Sequence, residues 1–240
     1  MEEFLELNNI PYFGSGVKAT FLGTSKLLSK KIFRSRRLPV IEDIFVDKII
    51  WRKNKKKILE NIADKIGWPC LIKDTGGTDS RGIYKINGRT QVEKALNKAV
   101  SAHAGVIIEK FISQAYEVIC LAVGNINPIA YEPVALINKP GIYTAELKDS
   151  SKIKTEIPVN LPAKIIKKIK KIAAQAHKAL GCRTFSRSDV LVKNGKIYLL
   201  EVDIHPGFRE ISPASISAAY AGESMNQLFL KFYKLVKQSL

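Results

Sequence analysis

The sequence predicts an α+β fold of two lobes, with antiparallel sheets flanked by helices. Three observations carry that prediction. Short apolar runs bounded by turn signals occur in both halves of the chain. One pair of them, residues 186–192 and 197–203, is joined at Asn194-Gly195, a strong hairpin signal. Helical periodicities stand among these runs in mixed order, so that hairpins lie beside helices. The 240 residues are 46% hydrophobic, enough to bury a core in one large domain or two lobes, and this excludes disordered, collagenous and low-complexity classes. No repeat or low-complexity linker divides the chain.

The elements follow in order. A short apolar helix at 4–7 precedes the turn-rich stretch Ile10-Pro11-Tyr12-Phe13-Gly14-Ser15-Gly16, and a helical pattern over 18–34 stops before Pro39. A second helix spans 48–63. Residues 68–73 read as a buried strand leading into the polar glycine-rich loop 74–82, with a further strand at 83–86. Asn87-Gly88 turns the chain into a helix at 91–101, and strands follow at 106–112, 117–123 and 129–136. After an irregular 138–160, Pro162 opens a helix whose Ile165, Ile169, Ile172, Ala176 and Leu180 share one face, and Gly181 closes it. The hairpin comes next, and an amphipathic helix over 225–237 ends the series.

Charge and cysteines bound the function. Lys and Arg number 39 against 22 Asp and Glu, a net charge of +17, which calls for an anionic partner such as a phosphate or nucleic acid. The densest basic runs, 53–57 and 164–171, interleave lysine with isoleucine at helical spacing, which reads as solvated helix faces. Nucleic acid is therefore the minor expectation. Cys70, Cys120 and Cys182 form no CxxC pair, the three histidines are scattered, and the acidic N-terminus lacks a signal-peptide pattern; a reduced, cytoplasmic setting fits. Apolar runs such as Val106-Ile107-Ile108 are soon interrupted by charge, so no membrane span is expected.

The hairpin carries the chemistry. Arg187, Asp189, Glu201 and Asp203 interrupt apolar strands, where acids are costly unless they meet a cation or base. Oxygen ligands on adjacent strands suit Mg²⁺ that also holds nucleotide phosphates. A two-residue turn at Asn194-Gly195 would put Asp189 and Glu201 on opposite faces. A three-residue loop with Gly195 in a bulge would put all four on one face, so the metal reading expects the longer loop. Lys73 ends a strand before the glycine-rich loop, whose N–H groups can form an anion-binding concavity. Glu109-Lys110-Phe111-Ile112 ends another strand with groups suited to an adenine edge and a ribose.

These residues, in this order, resemble the ATP-grasp ligases, and among them the D-alanine–D-alanine ligase family. The resemblance rests on Ile10 to Val17 with Ser25-Lys26-Leu27-Leu28-Ser29-Lys30, on Gly181-Cys182-Arg183 with Ser186-Arg187-Ser188-Asp189, and on Leu200-Glu201-Val202-Asp203-Ile204-His205-Pro206-Gly207. It implies an ATP-grasp fold with a remnant of an absent N-terminal lobe at 1–25, a small lobe at 26–117 and a C-terminal lobe with the metal site at 118–240. It further implies ATP held by Lys26, Lys73, Glu109, Lys110, Ile112 and Glu117, and Mg²⁺ or Mn²⁺ held by Asp189, Glu201 and Asp203. Arg187 and the Gly207 N–H would stabilise an oxyanion, and Ser212 would hold the acceptor's carboxylate. Lys148 falls in the family's mobile loop that closes over the phosphates. The implied reaction joins a carboxylate to an amine through an acyl phosphate. The alternative is a non-catalytic or partner-dependent ATP-binding protein. Implied partners are a small amino-acid-like substrate, a second copy in a homodimer, and a partner chain carrying the absent lobe. Two departures stand out: Asp203 replaces the family's Asn, and Asp149 replaces a Tyr.

Overall fold

A computed structural model describes residues 1–76, 83–137 and 154–238. Two antiparallel sheets organise them. In the small sheet, β1 (Asp43–Val46), β4 (Val106–Lys110), β2 (Cys70–Asp74) and β3 (Ile83–Ile86) lie side by side in that order. The large sheet runs β10 (Lys196–Asp203), β9 (Phe185–Lys193), β5 (Tyr116–Val123), β7 (Val134–Ile137) and β8 (Lys154–Glu156), with β6 (Ile129–Ala130) paired to β5.

Period-two alternation gives each sheet one apolar face. On the small sheet, Val46, Ile72, Val106 and Ile108 pack against Trp51 and Ile58 of α4 (Lys48–Asn61) and Leu96 of α5 (Arg89–Ala102). On the large sheet, Val118, Cys120, Val190 and Leu199 pack against α6 (Ala163–Leu180), through Ile169, Ala173 and Ala176. Burying one such aliphatic side chain contributes about 1.5–3 kcal/mol. Phe33 of α3 (Lys26–Ser35) enters this same core, as does Ala19 of α2 (Val17–Thr24), whereas α1 (Glu2–Leu7) buries no residue. At one end of the opposite face Leu121, Val123 and Phe185 meet α7 (Pro213–Tyr220) and α8 (Met225–Lys237) in a separate apolar cluster.

Local chemistry explains where the elements depart from the sequence reading. The pattern over 18–34 is two helices, because the Ser25 hydroxyl accepts from the Leu28 N–H and starts α3 afresh. The run 129–136 breaks into β6 and β7 around Pro133, which has no N–H for a ladder. Strands β1 and β8 and helix α7 are absent from the sequence reading, β8 lying in the stretch expected to be irregular, and β1 supplies part of the site below. Helix α6 ends as expected, on left-handed Gly181 with φ 74°.

Helix α6 also carries a buried polar group. His177 Nε2–H donates to the Gly124 carbonyl (2.9 Å), and Nδ1 accepts from the Ser186 hydroxyl (2.8 Å). Burial pushes its pKa from 6.5 down to about 4, against the opposing pull of the Gly124 hydrogen bond. Between those values the unfolded chain binds the extra proton. Stability present above pH 6.5 is therefore lost as the pH falls toward 4, by an amount on the order of 3 kcal/mol. Urea unfolding across that range should show this slope in the protein and not in His177→Gln.

Candidate functional site

The charged face of the hairpin is made by a bulge rather than by its turn. Lys193 pairs with Lys196, so the turn at Asn194-Gly195 has two residues, both at positive φ (49° and 73°). The expected three-residue loop is thus corrected. The register then shifts between Leu199 and Glu201: Leu199 faces Val190, but Glu201 faces Asp189. One extra residue in β10 flips the remainder of the strand, and Asp203 comes to face Arg187. Arg187, Asp189, Glu201 and Asp203 end on one face, opposite the α6 core. Glu117 and Ile119 of β5 share that face, since Ile119 faces Asp189.

Arg187 binds two of these acids. Its Nε and Nη2 donate to the Asp189 oxygens at 2.8 and 3.0 Å, and Nη1 lies 3.1 Å from Asp203 Oδ2. Burial works against its charge, but Asp189 and then Asp203 hold its proton well above the ordinary arginine value.

The small sheet contributes a second charged face. Glu109 of β4 lies between Asp43 and Leu71 in register. Its carboxylate accepts from Lys73 Nζ (2.6 Å) and pairs with Lys30 of α3. Lys30 also lies 2.9 Å from Asp43, which Arg34 engages in turn. Burial alone would raise the Glu109 carboxyl; Lys73 and Lys30 overcome that and hold it at about 2. Lys73 is itself raised despite burial, by Glu109 first and then by Glu201 and Glu117. Lys26, at the start of α3, is lowered by burial, an effect that Glu201 partly offsets and Lys73 reinforces. Glu201 of the large sheet is thus within electrostatic reach of lysines from two other elements. The charged faces of the two sheets thus approach each other around Glu201, Lys26 and Lys73, and the space between them is the candidate cleft.

Of the residues expected from sequence, the structure brings Lys26, Lys73, Glu109, Glu117, Asp189, Glu201, Asp203 and Arg187 to this cleft. Lys110 and Ile112 follow Glu109 at the crossing from small to large sheet, with Lys110 exposed. Gly207 and Ser212 come together apart from it in sequence: a Cβ on Gly207 would lie 3.6 Å from Ser212 Oγ. Ser212 is the N-cap of α7, and its side chain makes no cap hydrogen bond. Lys148 and most of the glycine-rich loop lie outside the described residues. Sequence reasoning missed Lys30 and Asp43. Lys30 was visible in the Ser29-Lys30 motif, but nothing local marks it as buried.

The acidic face suits a hard divalent cation by donor type, since its donors are carboxylate oxygens. Among the described residues no three His, Cys, Asp or Glu side chains form a cation cage. Mg²⁺ does not need one, because it takes one or two carboxylates and completes its shell with phosphate oxygens and water. Glu201, flanked by Asp189 and Asp203, fits that requirement.

Two antiparallel sheets with charged faces on one cleft are the ATP-grasp architecture. The structure of the D-alanine–D-alanine ligase from Coxiella burnetii superposes with a TM-score of 0.84 at 24% identity, over 98% of this chain and 62% of that one. The Bacillus anthracis ligase complexed with ATP gives 0.82 at 24% identity, over 99% and 74%. In sequence, the D-alanine–D-alanine ligases of Acetivibrio thermocellus and Pelagibacter ubique are 30% and 33% identical across 99% and 95% of this chain. The family described as D-ala D-ala ligase C-terminus matches residues 32–234, and the chain belongs to that family. It spans 64% of the length of the Acetivibrio relative and 73% of the Pelagibacter one. Among the described residues no helix is long and apolar enough to cross a membrane.

Proposed function

We propose that the chain binds ATP with a divalent cation in this cleft and joins a carboxylate to an amine through an acyl phosphate. The observation that carries the reading is the convergence of Lys26, Lys73 and Arg187 on the face that holds Asp189, Glu201 and Asp203. Membership of the ligase family supports it, as does the ATP in the Bacillus anthracis structure.

In this reading Lys26 and Lys73 neutralise the phosphates, joined by Lys148. Lys110, Ile112 and Glu117 line the nucleoside, while Glu109, expected to join them, is buried and holds Lys73 and Lys30 in place. Asp189, Glu201 and Asp203 would hold Mg²⁺ or Mn²⁺, which neutralises the transferring phosphoryl group when bound. The donor carboxylate oxygen attacks the γ-phosphorus, and ADP leaves. The amine then attacks the acyl carbon, its proton is lost, and inorganic phosphate departs as the amide forms. Arg187 and the Gly207 N–H face the oxyanion of the tetrahedral intermediate, where a fixed guanidinium acts without reorganising. Ser212, beside Gly207 at the N-terminus of α7, would hold the acceptor's carboxylate with the helix amides. A small amino-acid-like donor and acceptor fit these groups.

The test is ADP release from Mg-ATP over a panel of amino and hydroxy acids, with Asp189→Ala as control. Release by the protein well above the control, for at least one acid, is expected. Equal release throughout would count against the ligase. Nucleotide binding without release would favour an ATP-binding protein that turns over only with a partner chain.

The lowered Lys26 pKa adds a pH dependence. A bound phosphate stabilises the ammonium, so binding takes up a proton wherever Lys26 is partly deprotonated. ATP affinity should fall as the pH rises toward the ordinary lysine range, and should begin to fall below it. Calorimetry in buffers of different ionisation enthalpy reads the proton uptake. An affinity flat across that range, with no uptake, would contradict this role for Lys26.

A further inference from the structure

Every oxygen of Asp189 and Asp203 already has a donor. Both Asp189 oxygens take Arg187, one Asp203 oxygen takes Arg187, and the other accepts the His205 N–H at 2.9 Å. Arg187 and Asp189 are 13% and 5% exposed, so water has little share in this arrangement. The planar guanidinium grips Asp189 through two parallel N–H donors and keeps a third for Asp203, a fork that a single ammonium does not offer. Of the three carboxylates a divalent cation could draw on, Arg187 holds two, Asp189 and Asp203.

We propose that Arg187 is the resident counter-cation of this acidic face, and that Asp203 is the positioning residue that keeps it there. This rests on the reading of Asp189, Glu201 and Asp203 as the cation's side of the cleft. It gives the acid at 203, where the family has Asn, a task of its own. The carboxylate is tied at Oδ1 by its own backbone turn and presents Oδ2 to Nη1. An amide there would turn one edge, the N–H₂, into a donor facing a donor. A cation that takes oxygens from Asp189 or Asp203 must loosen the guanidinium, and a guanidinium that stays must weaken the cation. The two are linked reciprocally. Cation entry thereby releases Arg187 toward the phosphate and acyl oxygens, so the oxyanion ligand is set free when the nucleotide site fills.

The experiment measures free Mn²⁺ by electron paramagnetic resonance, without nucleotide, for the protein, Arg187→Lys and Arg187→Met. Arg187→Met is expected to bind Mn²⁺ about tenfold tighter or more, with Arg187→Lys between. Equal or weaker binding by Arg187→Met overturns the proposal. Since two carboxylates left without their arginine strain the fold, a second measurement uses the unaltered protein. The Arg187 Nε–H resonance should shift and exchange faster with solvent when excess Mg²⁺ is added alone; an unchanged resonance also overturns it. Adding ATP to the Mn²⁺ series separates the two readings. Failure of the protein to bind ATP removes the nucleotide site, while the nucleotide-free comparison still decides the role of Arg187.

Discussion

Lys30→Met is expected to lower stability by about 3–5 kcal/mol, the largest effect of any single substitution at the cleft. The Lys30 ammonium is 3% exposed and serves two carboxylates that are themselves almost wholly buried, Asp43 and Glu109. The methionine fills the space but leaves both acids short of a partner. Asp43 keeps Arg34 and Glu109 keeps Lys73, which sets the upper end of the range. For a chain of this size the melting temperature should drop by about 6–20 °C. Part of the loss should be recovered on acidification, when Glu109 protonates more readily without Lys30. A drop of less than about 1 kcal/mol would show that Lys30 is not the keystone of this network.

Arg187→Met is expected to reduce amide formation by about 10²–10³-fold without weakening ATP binding. In the proposed reaction the guanidinium, once released from Asp189 and Asp203, serves the acyl centre, whereas Lys26 and Lys73 serve the phosphates. Loss of turnover with unimpaired affinity separates a role in the transition state from one in nucleotide binding. A parallel fall in both would place Arg187 on the nucleotide instead. Single-turnover kinetics alongside calorimetry supply the two numbers.

How far the sequence reaches is clearest in the hairpin. Asn194-Gly195 announced the turn, and the four charged residues announced the face. What went unread was the bulge, although the inward apolar positions Ile197, Leu199 and Val202 contain it as a step of three where two is the rule. Lys30 was less accessible. In a helix rich in lysine it reads as solvent-facing, and its burial depends on Asp43, on an edge strand of four residues with little local signal. The core face of α6, by contrast, follows from spacing alone, because Ile169, Ile172, Ala176 and Leu180 recur at the helical period. Ser212 sits at a helix start that Pro213 could have revealed, since proline favours the first position of a helix. Pairings between distant elements set the rest of the site, and no local pattern encodes them.

The central claim is that the charged faces of two sheets make one nucleotide site. Calorimetric titration of ATP with excess Mg²⁺ into the protein tests it most directly, with Lys73→Met as comparison. One saturable site per chain is expected, weakened about tenfold or more in Lys73→Met. Absence of saturable binding, or equal affinity in the two proteins, would contradict it.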